Sequence, residues 1–151
     1  MRAVVQRVVS ASVTSRASSD EPFDLVGSIG SGLMVLVGVT HDDTAVAADK
    51  LATKLSGLRV FDDDDGVMNL GALDVGAEFL VVSQFTLYGN TSNGRRPSWV
   101  DAARPEHAEP LVERVVERLR AAGAVVATGR FRTDMQVELV NDGPVTLIID
   151  V

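Results

Sequence analysis

The chain contains no cysteine, which removes a disulfide framework, thiolate catalysis and cysteine-ligated zinc together. Histidine is nearly absent as well: His41 and His107 are the only two, too few for an imidazole-based metal site, and no metal is expected. Long apolar runs are missing. Stretches such as residues 33–39 and 79–82 fall far short of a membrane-spanning helix, and polar residues break up the opening Met1-Arg2-Ala3-Val4-Val5-Gln6-Arg7 before a signal-peptide core can form. A soluble, cytoplasmic protein without a membrane partner is expected. Positive charge is scarce: 14 Lys and Arg against 21 Asp and Glu leave a net charge of -7. That balance opposes nonspecific gripping of nucleic acid, DNA included, because such binding runs on neutralised phosphates.

Recognisable cofactor motifs are lacking too. There is no Gly-x-Ser-x-Gly, His-Glu-x-x-His or Walker loop, and Gly27, Gly30 and Gly32 have the wrong spacing for a dinucleotide fingerprint. No cofactor is expected. The acidic run Asp62-Asp63-Asp64-Asp65-Gly66 invites a calcium reading. Setting Gly66 at loop position six, however, puts Phe61 and Ala72 where carboxylates are needed. A solvated acidic turn is the better reading. Asn90-Thr91-Ser92 matches a glycosylation acceptor only by coincidence, given no secretory signal.

What is present suits one compact domain, residues 1–151, with 46% hydrophobic residues to fill its core. Residues 3–14 read as a strand with Val5, Val9, Ala11 and Val13 on one face, residues 17–22 as a polar turn, and residues 33–39 as a buried strand. Ala48, Leu51, Ala52, Leu55 and Leu58 recur at helical spacing, so a helix is predicted over 44–58, opened by Asp42 and Asp43. A second is predicted over 106–122, with Leu111, Val115, Val116 and Leu119 inward and Pro110 near its start or at a kink. Further strands are predicted over 58–61, 77–88, 125–131, 135–140 and 145–151, with a polar loop at 89–97. Strands dominate and two helices pack on them, giving an α+β domain.

Two segments resist a purely structural reading. In Ser83-Gln84-Phe85-Thr86-Leu87 an apolar strand turns polar at three of four positions. Polar groups entering a buried strand need partners. Either they make ordinary strand-end hydrogen bonds, or Ser83 and Thr86 offer hydroxyls, Gln84 orients a substrate, and the amides of Phe85 and Thr86 receive an oxyanion. Asn141-Asp142-Gly143-Pro144, between two predicted strands, is first of all a turn. The isomer of its Gly-Pro bond is open; a cis bond would set neighbouring carbonyls on one side as acceptors for an α-amino group.

These two segments resemble the Ser-Gln-Phe-Thr-Leu and Asn-x-Gly-Pro-Val-Thr signatures of the D-aminoacyl-tRNA deacylases. Similar segments occur in order along the chain: Ala3-Val4-Val5-Gln6-Arg7-Val8, Leu58-Arg59-Val60-Phe61, Met68-Asn69-Leu70, Gly94-Arg95-Arg96-Pro97-Ser98 and residues 135–146. The resemblance implies a mostly antiparallel sheet forming a barrel-like core with two packed helices. It also implies hydrolysis of the ester of D-aminoacyl-tRNA and glycyl-tRNA, and a homodimer with active sites at the subunit interface. Ser83, Gln84, Phe85 and Thr86 would be catalytic. Gly143 and Pro144, cis in the family, would enter the partner's site and bind the substrate amino group while excluding an L side chain. Arg7 would help fix their orientation, Met135 would contact substrate, and Arg95 and Arg96 would form a local basic patch for the tRNA 3′ end. With no histidine in either motif, a triad is unsupported; attack assisted by the tRNA 2′-hydroxyl is preferred over Thr86 as nucleophile. Three departures stand out. Arg132 and Thr133 occupy a place where the family usually has Gly-Ala, residues 18–23 look longer than usual, and Val67 replaces a common lysine. Two rival readings remain: a noncatalytic RNA- or protein-binding module, and a hydrolase of small D-amino acid esters.

Overall fold

The computed structural model describes residues 1–92 and 94–151; Asn93, in the predicted loop at 89–97, lies outside them. Three strands open the chain: β1 (Arg2–Arg16), β2 (Asp24–Ile29) and β3 (Gly32–Gly38). Helix α1 (Ala45–Ser56) precedes a hairpin of β4 (Arg59–Asp62) and β5 (Met68–Gly71). Then come β6 (Glu78–Ser83), a 3₁₀ turn (Phe85–Tyr88), α2 (Pro105–Ala121), β7 (Val126–Thr128) and β8 (Asp134–Asp150). Among the described residues no helix is long and apolar enough to cross a membrane.

β1 organises the sheet. One edge of it takes β3 along Arg2 to Val8 and β2 along Ala11 to Ser15, while the other edge takes β8 almost end to end, all antiparallel. β3–β6 and β6–β7 are parallel, so the sheet is mixed rather than mostly antiparallel at its centre. Parallel neighbours need long crossovers, supplied here by α1 with the β4–β5 hairpin and by α2. The sheet curls back on itself until β2 meets β7: a Cβ on Gly27 would sit 2.7 Å from the Thr128 carbonyl oxygen. The barrel-like core with two packed helices therefore holds.

Apolar residues divide between two clusters. Leu33, Val35, Leu51, Leu55, Phe79 and Leu119 fill the space between sheet and helices, and Val8, Val13, Met34, Leu80 and Val82 fill the inside of the curl. Each such side chain contributes about 2 kcal/mol on burial. The two helices are also tied by charge: Asp49 of α1 accepts paired hydrogen bonds from Arg114 and from Arg118 of α2.

Several details differ from the sequence reading, among them β7, which covers only Val126–Thr128 of the predicted 125–131, and β5, which was not predicted. Val9 is exposed rather than inward, because the pairing of β1 with β8 slips between Gln6 and Val8 and again between Val8 and Ser10, which reverses the alternation there. β2 occupies a stretch for which no strand was predicted. The predicted strand at 77–88 stops at Ser83. Its partner β3 ends at Gly38, the Gln84 amide makes one last bond to the Val37 carbonyl (2.8 Å), and the chain then winds into the 3₁₀ turn. Finally, the strands predicted at 135–140 and 145–151 are one strand, β8, carried through residues 141–146 by its long partner β1.

Candidate active site

The break at the end of β6 makes the site. A side chain at position 38 would crowd the turn, since its Cβ would lie 3.0 Å from Leu87 Cβ and 3.2 Å from the Gln84 carbonyl oxygen; glycine there lets the turn seat against β3. Phe85 and Thr86 open the turn, so their N–H groups have no acceptor within it. The Gln84 side-chain amide donates to the Thr86 hydroxyl. Phe85 is exposed and meets Trp99 edge to face, with centroids 5.4 Å apart.

Two cavities adjoin at this point. The larger, about 690 Å³, is lined by Ser83, Gln84, Phe85, Trp99, Arg104 and Arg132 among others. The smaller, about 510 Å³, runs along α2 past Glu109, Glu113, Glu117 and Arg120. Ser83, Phe131 and Met135 line both and form the boundary between them. Of the residues singled out from the sequence, Ser83, Gln84, Phe85 and Met135 thus come together. Thr86 adjoins them in the turn, but neither cavity is lined by its side chain. Arg95 and Arg96 are exposed and stand outside both linings. Both histidines are occupied elsewhere, His41 with the Val100 carbonyl and His107 with that of Asp43. Trp99 and Arg104 escaped the sequence reading because neither belongs to a recognisable motif; Trp99 lies one residue past the segment Gly94-Arg95-Arg96-Pro97-Ser98.

Arg132 has a feature of its own. Its φ is +59°, a left-handed conformation that costs a residue with a side chain about 1 kcal/mol and glycine almost nothing. Next to it, the Thr133 hydroxyl is hydrogen-bonding with buried Ser15 (2.6 Å) and donates to the Arg130 carbonyl (2.8 Å), which fixes the turn.

The second signature lies apart from the cavities. The Gly143-Pro144 peptide is cis, and both residues are exposed. Gly143 has φ +117°, and a Cβ on it would press to 2.8 Å from Val145 Cγ2 and 3.1 Å from Arg7 Nη2. Arg7 is buried beneath this segment. It donates to the Val60 carbonyl (2.6 Å), lies 3.6 Å from Asp62, and holds Nε 3.0 Å from Asp142 Oδ2, at an angle that makes an ion pair rather than a hydrogen bond. From the other side the Asn141 amide donates to the carbonyls of Arg7 (2.9 Å) and Val145 (3.1 Å). Asn141 belongs to the motif, yet its clamping role was not read from it. Ser83 pairs with Val37, which pairs with Ala3, whereas residues 141–146 flank Gln6 and Val8. The offset along β1 alone is roughly 10 Å at the rise of a strand, and Gly143 and Pro144 line neither cavity of their own chain.

The acidic run is a turn held by its own side chain. Asp63 accepts from the amides of Val67 and Asp65 and from Asn69, and the Val67 amide leads in holding its carboxyl below the usual range. Among the described residues no group of three His, Asp or Glu converges as a metal site would require.

A curled mixed sheet backed by two helices is the fold of solved tRNA deacylases: a probable eukaryotic D-amino acid tRNA deacylase superposes with a TM-score of 0.79 over 99% of this chain and 98% of its own, at 16% identity, a likeness of fold alone. A structure solved as a c-Myc DNA unwinding element binding protein gives 0.90 at 36% identity, covering 100% of this chain and 99% of its own. Sequence carries the assignment further. The family model of D-Tyr-tRNA(Tyr) deacylase matches residues 4–150. A D-aminoacyl-tRNA deacylase of Symbiobacterium thermophilum is 57% identical over 99% of this chain and 95% of its own length, and one of Chloroflexus aurantiacus is 55% identical over 99% and 90%. The chain belongs to the D-Tyr-tRNA(Tyr) deacylase family, and it is a hydrolase of that kind.

Proposed function

We propose that the protein hydrolyses the ester joining a D-amino acid, or glycine, to the 3′ end of tRNA, and spares the L-aminoacyl ester. The observation that carries this reading is the meeting of two cavities at Ser83, beside Gln84 and the free N–H groups that open the turn. An aminoacyl-nucleoside is two bodies joined at one ester, and such a junction receives it with the scissile carbonyl between them. Water adds to that carbonyl, the charge developing on its oxygen falls to the N–H groups of Phe85 and Thr86, and the bond to the ribose oxygen breaks. The leaving oxygen takes up a proton, releasing free amino acid and tRNA. No histidine stands by as a base, and Thr86 is engaged by Gln84. The adjacent 2′-hydroxyl of the substrate therefore assists attack, and position rather than a strong nucleophile supplies the acceleration.

Chirality is read by a second copy of the chain. Gly143 and Pro144 are exposed, firmly held by Arg7 and Asn141, and away from their own cavities, as a loop destined for a partner's site would be. Their carbonyls take the substrate ammonium and leave no space for an L side chain; glycine, lacking one, passes. Support for a homodimer comes from β8, which pairs with β1 on one edge only and displays Ile148 (70% exposed) and Val140 (53%), beside Val9 (56%) of β1.

One incubation tests the reading. D-tyrosyl-tRNA and glycyl-tRNA are deacylated and L-tyrosyl-tRNA persists; binding without turnover would identify a nucleic-acid-binding module instead, and equal turnover of a D-tyrosine alkyl ester a small-ester hydrolase. Substrate assistance predicts that Thr86→Ala keeps kcat within about threefold while a 2′-deoxy terminal adenosine abolishes turnover. The reverse pattern would make Thr86 the nucleophile.

A further inference from the structure

In a chain of net charge -7 the lining of the larger cavity is electropositive. Its lining includes two arginines, Arg104 ahead of α2 and Arg132 in the turn before β8, and one aspartate, Asp134. That carboxylate is already engaged, 3.3 Å from Arg16 Nε. Among the described residues neither Arg104 nor Arg132 has a carboxylate within ion-pair distance, so both charges are available to something outside the chain. The smaller cavity is mixed in charge, with Glu109, Glu113 and Glu117 set against Arg120 and Arg130 along its wall.

The conformation of Arg132 adds weight. A glycine would satisfy φ +59° without strain, yet the position holds the side chain that brings charge to the cavity. Strain retained beside a binding site is informative about what the site requires. We infer that Arg104 and Arg132 form a cationic clasp in the larger cavity that holds a phosphodiester of the RNA 3′ end. The inference rests on the tRNA reading above and names the residues that meet the polyanion, a role that the sequence had suggested for Arg95 and Arg96. Two local charges facing one phosphodiester reconcile an acidic protein with an anionic substrate, and steer its end while the rest of the surface repels the body.

The test compares wild type with Arg132→Gly, Arg132→Lys and Arg104→Gln on two substrates, D-tyrosyl-tRNA and 3′-O-D-tyrosyl-adenosine, which has no phosphate. Arg132→Gly should lower kcat/KM on the tRNA about five- to tenfold at ~0.1 M salt, through KM. It should flatten the dependence of log kcat/KM on log salt by about 0.7, the increment of one single-strand phosphate contact. On the nucleoside ester the loss should stay below about twofold. The glycine variant should melt at the same temperature or higher, which separates lost binding from lost structure; Arg132→Lys should keep most of the tRNA activity, and Arg104→Gln should follow Arg132→Gly. Equal losses on both substrates or an unchanged salt slope would overturn the inference. If the wild type deacylated neither substrate the tRNA reading would fail separately. Affinity for an uncharged hairpin ending in CCA would then judge the clasp, and equal binding by wild type and Arg132→Gly would reject it.

Discussion

Gly143 sits where no side chain fits, and that makes it a sharp probe of the second signature. Alanine there meets Val145 and Arg7 at less than van der Waals distance with φ at +117°. Gly143→Ala is expected to cost about 1–3 kcal/mol in denaturant unfolding and to lower the ratio of D- to L-ester hydrolysis. Asn141→Ala should act more gently: two carbonyls lose their donor, for about 1–2 kcal/mol, and discrimination declines while turnover of D-tyrosyl-tRNA is better preserved. Single residues were partly legible in the sequence. Ser83, Gln84 and Thr86 announced themselves as polar groups where an apolar strand should have continued, and the first two line a cavity. Trp99 and Arg104 did not, because a side chain that reaches a cavity from a loop or a helix end leaves no periodic trace.

Among the elements, the two helices were read within a residue or two, since a buried stripe at helical spacing survives any tertiary context. Strand ends fared worse for an identifiable reason: they are set by partners. β6 stops because β3 does, and β8 runs through a sequence that reads locally as a turn because β1 continues beside it. The tie between the helices has its own pH signature. Hydrogen bonds from Arg114 first and Arg118 next hold the Asp49 carboxyl well below its ordinary value. A depressed folded pKa means that the stabilisation is complete above the unfolded value near pH 4 and is lost as pH falls below it. Asp49→Asn should therefore be less stable than wild type at pH 7, and the gap should narrow between about pH 4 and 2 when unfolding midpoints are compared.

At the scale of the whole molecule, the proposed assembly divides the labour. In it each protomer would carry the proposed hydrolytic turn at the end of β6 and lend its Gly143-Pro144 segment to its partner. Ile148→Lys, at a position exposed in the single protomer, should turn a sedimenting dimer into a folded monomer, lower the melting temperature by the association energy lost, and abolish selective deacylation. Two variants that each lack selective deacylation, one altered at Ser83 and Gln84 and the other at Gly143, should restore it to each other on mixing and exchange. Random pairing makes half the dimers mixed, each with one intact site, so about a quarter of the wild-type selective activity returns. Recovery of none would mean that the loop serves its own chain.

The separation of the loop from the cavities of its own chain reaches beyond structure. In the proposed assembly fidelity would be a collective property, absent from an isolated polypeptide and acquired only on meeting a twin. A copy that has not met its twin would carry the hydrolytic turn without the loop that judges chirality, so association would have to precede any encounter with correctly charged tRNA.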